Sequence, residues 1–303
     1  MKQLFFLWGA ACLAGCGTDL FGLPFDLAFE QGLTLDGATP GDALSGGDLA
    51  GLDGGNPRFD LAGLEAGALM LPASCALIGC TPAVNEGDVD LSDTISGCHA
   101  YGTLTINGVV QVAQSDGLGF AACADHIIVG GVLSADGAGF AAGKGPGAGG
   151  SCGSGGGHGG AGADPGGCGG GATYDDPNLP RLPGSGGGVL GGVGSGGAGG
   201  GAIELGAARV DIIGFLYARG GNGAGAVSGG GAGGSILIHA DMLSGGGQMA
   251  ANGGDGFGLT NGGGGGGGRV AIFATSSTAT LNVQVEGGTS TTGPDGSAGT
   301  KVP

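Results

Sequence analysis

One segment recurs through the second half of the chain, and it recurs in register. Gly229 to Gly256 reads GGGAGGSILIHADMLSGGGQMAANGGDG: a glycine run, a short alternating apolar stretch, a turn, a second short stretch and a glycine-rich corner. The same order precedes it from Gly196 to Gly223 and follows it, in degenerate form, up to Gly288. Ala202 to Ser235 and Gly220 to Gly253 are both steps of 33 residues, while Ser235 to Arg269 and Ala251 to Val285 are both steps of 34. Chance enrichment in glycine does not hold both ends of a unit at one spacing. In this register Ile203, Ile236 and Val270 align, as do Leu205, Ile238 and Ile272, and then Leu216, Met249 and Val283 on the second stretch.

A unit of two short strands cannot bury its inner face alone, but stacked units make a continuous core. The pattern therefore predicts an all-β fold, a short parallel β-helix or solenoid of about four to five coils joined by long glycine-rich loops. The intervening positions Glu204, Leu237 and Ala271, then Gly206, His239 and Phe273, fall on the opposite face, which is expected to be partly exposed. Earlier strand-like runs, Tyr101–Ile106, Val109–Ala113 and His126–Leu133, end in a corner, Ser134 to Gly139, that matches Ala251 to Gly256, so an early rung is expected there.

Glycine supplies 84 of the 303 residues, without the every-third spacing of a collagen helix. Runs such as 184–201 and 262–268 offer no side chain to bury. They are either disordered or ordered by backbone hydrogen bonds, and side-by-side polyproline-II segments are the ordered arrangement. Residues 141–200 form the largest such insert, and its prolines forbid a helix or a central strand.

The N-terminus carries an address. Lys2 precedes an apolar stretch, Leu4 to Leu13, that is too short to span a bilayer and reads as a secretory signal. It ends in Leu13-Ala14-Gly15-Cys16, which resembles the lipobox of bacterial lipoproteins. The resemblance implies cleavage before Cys16, acylation of its thiol and attachment to a membrane through the lipid. Gly17 rather than Asp follows, which implies the outer membrane, with the protein facing the cell surface or the periplasm. Residues 1–15 are thus a lipoprotein signal peptide and 16–70 an acidic tether. Nine carboxylates stand there against Arg58, and the stretch is too poor in apolar periodicity to offset ordering costs of about 1–2 kcal/mol per residue. Residues 71–303 form the folded part, divided into opening strands (71–140), the insert (141–200), the repeats (201–288) and a tail (289–303).

Six cysteines remain after Cys12 and Cys16: Cys75, Cys80, Cys98, Cys123, Cys152 and Cys168. An even number in an exported chain implies disulfides in one of 15 connectivities. Proximity suggests Cys75–Cys80, Cys98–Cys123 and Cys152–Cys168. No second half of a zinc site accompanies them, so no metal is expected.

The repeat texture is similar to a broad class of glycine-rich repeat proteins of bacterial surfaces. The matching pieces are Ala251-Asn252-Gly253-Gly254, Gly262 to Gly268 followed by Arg269-Val270-Ala271-Ile272, and TYDDPNLPRLP at Thr173–Pro183. It partly resembles polymorphic glycine-rich (PGRS) repeats, whose helical N-terminal domain is missing here. The resemblance implies no activity.

Chemical motifs are weak. GxGxxG strings are expected by chance at this glycine content, and none follows a strand and opens a helix. Gly145 stands where a P-loop needs Ser or Thr after Lys144. Asp255 reads as a turn residue, as does the pair Asp175-Asp176 ahead of Pro177. His99, His126, His158 and His239 are scattered, with His239 on an outward strand face and His158 in a mobile glycine loop. The charged residues Glu204, Arg209, Asp211, Arg219, Asp241 and Arg269 do not align into columns. A net charge of −17 excludes nucleic-acid binding. The expectation is a non-enzymatic, surface-anchored lipoprotein with a structural, adhesive or interaction role and no cofactor, whose partners are the membrane and polysaccharide or other surface proteins. The alternatives are an extracellular binding module for polysaccharide or ice, and a β-helical polysaccharide lyase or hydrolase.

Overall fold

The computed structural model describes residues 72–78, 82, 84–114, 117, 119–191, 194–258 and 262–303. The proposed signal, Cys16, the tether and Cys80 lie outside the described residues. After a short 3-10 turn at Ala73–Leu77 the described chain is nearly all β. In order the strands are β1 (Val89–Asp90), β2 (Gly97–Ile106), β3 (Val109–Gln111), β4 (Phe120–Val129), β5 (Val132–Ser134), β6 (Ala202–Ile212), β7 (Phe215–Tyr217), β8 (Val227–Ser228), β9 (Ser235–Ser244), β10 (Gln248–Ala250), β11 (Phe257–Gly258), β12 (Arg269–Ser277), β13 (Asn282–Gln284) and β14 (Thr300–Val302).

The chain alternates between two parallel sheets. The long strands form a sheet ordered β1-β2-β4-β6-β9-β12-β14, and the short ones a second sheet ordered β3-β5-β7-β10-β13. A small antiparallel pair, β8 with β11, stands apart. Ile203, Ile236 and Val270 are direct neighbours across the long sheet, and so are Leu205, Ile238 and Ile272. Leu216, Met249 and Val283 are neighbours across the short one. All belong to one apolar core together with Phe120, Leu104 and Leu133. Each fully buried side chain of this kind is worth roughly 1.5–3 kcal/mol. Ile272 and Val283, in the last full copy, are only partly buried and line an apolar cavity at the end of the stack.

Every long strand bends at one place. Pairing runs from Ala207 with Ala240 directly to Arg209 with Met242, skipping Ala208 and Asp241, and the neighbouring strands skip Gly102, Asp125 and Thr275 at the same level. A second corner separates long strands from short ones. The stretch His126–Leu133, expected as one strand, is broken there by Gly130-Gly131. Side chains are excluded at this corner because the stacked turns touch: a Cβ on Gly131 would overlap the carbonyl of Gly108, and one on Gly214 the carbonyl of Gly131.

The corner Ser134 to Gly139 joins the ladder of the later ones. Ala135 and Gly137 donate to Tyr217 and Arg219, Ala218 and Gly220 to Ala250 and Asn252, and Ala251 and Gly253 to Gln284 and Glu286. Side chains extend it: Asn222 accepts from the Asp255 amide, Asn252 from the Glu286 amide and Asp255 from the Thr289 amide, each at 2.8–2.9 Å. Residues 289–303, expected as a tail, enter the same array through bonds from Gly299 to Val285 and Thr300 to Gly268, and through β14.

The glycine runs connecting the short sheet back to the long one are ordered by their backbones. Gly229 and Ala232 donate to Gly188 and Ser185, Gly230 and Gly233 to Gly263 and Gly266, and Gly231 and Gly234 to Gly221 and Ala218. The next run repeats the scheme, with Gly263 and Gly266 donating to Gly153 and Gly156, and Gly265 and Gly268 to Gly254 and Ala251. A partner that recurs every third residue is what a polyproline-II segment, with three residues per turn and no internal bonds, offers its neighbours. Buried amides and carbonyls thereby find partners without any sheet.

Two disulfides are defined. Cys152 is joined to Cys168, and Cys75 to Cys123, with Cα atoms 5.8 and 5.5 Å apart. Cys98 is disulfide-bonded as well. The pairs Cys75–Cys80 and Cys98–Cys123 suggested by proximity are therefore replaced. Cys123 faces outward from β4 toward the turn at Ala73–Leu77, which packs over β6 and brings Cys75 and Ile78 against it.

Candidate functional site

The polar side chains gather in three places, two of which serve to hold segments together. The outward face of the long sheet, expected to be partly exposed, is instead roofed: Glu204, Leu237, Ala271 and His239 are buried. The turn at Ala73–Leu77 covers Gly206, where an added Cβ would strike Ile78. The loop Thr173–Pro183 covers Glu204, whose Oε2 lies 3.6 Å from Arg181 Nε. Asp175 anchors that loop. It adopts a left-handed φ of 69° and accepts bonds from the amides of Arg181 and Leu182, both at 2.9 Å. Burial alone would raise its pKa, but these bonds and His158 outweigh burial and leave it lowered. His158, expected in a mobile glycine loop, is fully buried. Its Nδ1 lies 2.9 Å from the Gly233 carbonyl and its Nε2 3.4 Å from Asp175. Arg269 completes the clasp by donating from Nε and Nη2 to the Tyr174 carbonyl at 2.9 and 2.7 Å.

The second gathering lies beyond the bend of the long strands. Asp211 Oδ2 is 2.7 Å from His126 Nε2 and 2.9 Å from Arg209 Nε, and Oδ1 accepts from the Ser244 hydroxyl. Burial opposes its ionisation, but the bonds from Ser244, Arg209 and His126 outweigh burial and bring its pKa down to about 2. The charged residues that fail to align in sequence are thus brought together across three neighbouring strands. The signal was the register itself, because His126 pairs with Arg209 and Asp211 with Ser244.

The third place is the solvent-facing side of the short sheet. Val110, Leu133, Leu216, Met249 and Val283 point into the core, so Val109, Val132, Phe215, Gln248 and Asn282 point out. Phe215 is 41 % exposed, and its ring centroid is 5.6 Å from that of Tyr217. Arg219 lies over the Tyr217 ring at 4.1 Å and is held by Asp136 at 2.6 Å from Nη2. That pairing raises the Arg219 pKa. A flat strip of two aromatic rings flanked by amides and a fixed guanidinium results. Sequence reading missed it, although the spacing Phe215-x-Tyr217-x-Arg219 on an outward strand face carried the signal.

No family model, curated protein or solved structure matches this chain. Among the described residues no group of three or more His, Cys, Asp or Glu side chains could hold a metal ion, and no helix is long and apolar enough to cross a membrane.

Proposed function

We propose that the chain is an exported lipoprotein, anchored to the outer membrane through acylated Cys16, whose folded part is a short parallel β-solenoid of five coils with a non-enzymatic role in surface contacts. The solenoid reading rests on five successive long–short strand pairs, β2/β3 to β12/β13, entered in the same direction at one register. The observation that carries the non-enzymatic role is where the ionisable side chains go. Asp175, Arg181 with Glu204, Asp136 with Arg219, and Arg269 each tie one segment of backbone to another. Such ties make a stiff body with exposed faces, suited to a display or adhesive role at the envelope. Mass mapping of the N-terminal peptide, combined with protease treatment of intact cells, tests the reading. A diacyl or triacyl mass on Cys16 is expected, and an unmodified Cys16 in membrane-derived protein would remove the anchor from the proposal.

A second reading is favoured by the strip Phe215–Tyr217–Arg219. Aromatic rings beside amide and guanidinium groups on a flat parallel sheet suit an extended polysaccharide, with sugar faces on the rings and hydroxyls on Gln248 and Asn282. Retention on immobilised polysaccharides, lost on Tyr217→Ala, is the expected result.

A further inference from the structure

A cavity of about 470 Å³ opens on the outward face of β9 and β12, away from the aromatic strip. The turn residues Ala73 and Ser74 form one wall, and His239, Asp241, Phe273 and Thr275 form much of the rest. The His239 and Phe273 rings are stacked, with centroids 4.9 Å apart and planes within 10°. Two polar groups lining this space are nine-tenths or more buried, His239 at 3 % and Ser74 at 8 % exposure, and the His239 Nε2 and Ser74 Oγ atoms have no hydrogen-bond partner. A buried polar atom left unpaired costs about 1–3 kcal/mol, so two lining one cavity call for something to occupy it.

The charges around the cavity select the occupant. Asp241 repels an anion. Burial and the nearby Arg181 cation lower the pKa of His239, so the ring is neutral at pH 7 and the Arg181 field disfavours a cation. What remains is a neutral molecule rich in hydroxyls, with an apolar face to lie on an aromatic ring. We propose that this cavity is a binding site for a single neutral sugar residue, which stacks on Phe273 and hydrogen-bonds through its hydroxyls to His239, Ser74 and Asp241. The site deepens the carbohydrate reading given above, yet it stands on residues apart from the strip.

The test is saturation-transfer and ring-resonance NMR on the full chain with glucose, galactose, mannose and N-acetylglucosamine, each titrated separately. At least one sugar is expected to bind saturably in the millimolar range and to move the His239 ring resonances. Asp241→Ala, at an exposed position where the fold has nothing to lose, is expected to weaken that binding by about tenfold, the effect of one lost hydrogen bond to a charged group. Phe273→Leu is expected to weaken it by a similar factor, and Phe215→Ala with Tyr217→Ala is expected to leave it unchanged. Absence of saturable binding by all four sugars would overturn the proposal, as would binding that survives both Asp241→Ala and Phe273→Leu. Loss of polymer retention in the Phe215/Tyr217 variant with sugar binding intact would separate the two sites. Polymer retention without sugar binding would sink this site alone.

Discussion

Two walls of this protein are built on opposite principles. The paired sheets are held by files of aliphatic side chains, Ile203–Ile236–Val270 and Leu216–Met249–Val283, whose burial supplies the stabilisation. The glycine-rich wall buries no side chains along its runs and is held by amide-to-carbonyl bonds that change neighbour from one residue to the next. In the first wall a missing methyl group leaves a void; in the second an added methyl group has nowhere to go. Glycine's larger ordering entropy is the cost of the second design. A net gain of about 0.5–1.5 kcal/mol per hydrogen bond is what offsets it. Tolerance to substitution should therefore run in opposite directions on the two walls.

The largest effect is expected from Gly231→Val. A Cβ there falls inside the radius of the Ala198 carbonyl, and the same residue bonds Gly221 and receives Gly254. Overpacking costs about 1–3 kcal/mol and each broken bond about 0.5–1.5 kcal/mol, so a loss of about 3–5 kcal/mol is expected in denaturant unfolding. A loss below about 1 kcal/mol would mean that the glycine runs are not packed as described. Ile236→Ala comes next, because the side chain is fully buried between Ile203 and Val270. It should cost about 2–4 kcal/mol, part of which Ile236→Val keeps. If Ile236→Ala proved neutral while Gly231→Val was severe, the glycine wall alone would be holding the fold.

The contrast between the walls also explains what could be read in advance. The apolar files were legible because they depend only on period and register, and both survive a 33- or 34-residue step. The glycine runs were legible only as a choice between order and disorder, since their partners lie in other runs and no side chain marks which ones. The roof over Glu204 and Leu237 was not legible at all. It comes from residues 73–78 and 173–183, which no local pattern ties to β6 or β9. The pairing of Cys75 with Cys123 belongs to that roof, and it defeats any rule based on proximity because 48 residues separate the two. His158 escaped notice for the same reason: its acceptors are Gly233 and Asp175.

A smaller effect, set by pH, sharpens the comparison on the side-chain wall. Asp211 titrates at about 2 in the folded protein, against about 3.9 in an unfolded chain. A depressed carboxyl pKa stabilises the fold above the unfolded value and loses that contribution as pH falls through the folded one. Stability should therefore drop between about pH 4 and pH 2, by at most about 2 kcal/mol from this residue. Asp211→Asn should remove that part of the slope while leaving the curve near neutral pH displaced by a similar amount. Acid-induced unfolding of the two proteins, followed by far-UV circular dichroism, checks it, and identical slopes would mean that the Ser244, Arg209 and His126 bonds to Asp211 do not persist in solution.

The smallest stability effect is expected on the exposed strip, and it is informative for that reason. Phe215 stands on the outward side of the short sheet, with Leu216 beside it in the core. Surface replacements away from packed groups stay within about ±0.5 kcal/mol, so Phe215→Ala should unfold at nearly the denaturant midpoint of the parent protein. Leu216→Ala, one residue along the same strand, should lose about 2–5 kcal/mol. The pair measures the sidedness of the short sheet directly. If Phe215→Ala also abolishes polysaccharide retention, a side chain without weight in the fold will have been shown to carry weight in binding, as a contact surface requires. If it costs as much stability as Leu216→Ala, the strip is part of a packed interface and the polysaccharide reading loses its footing.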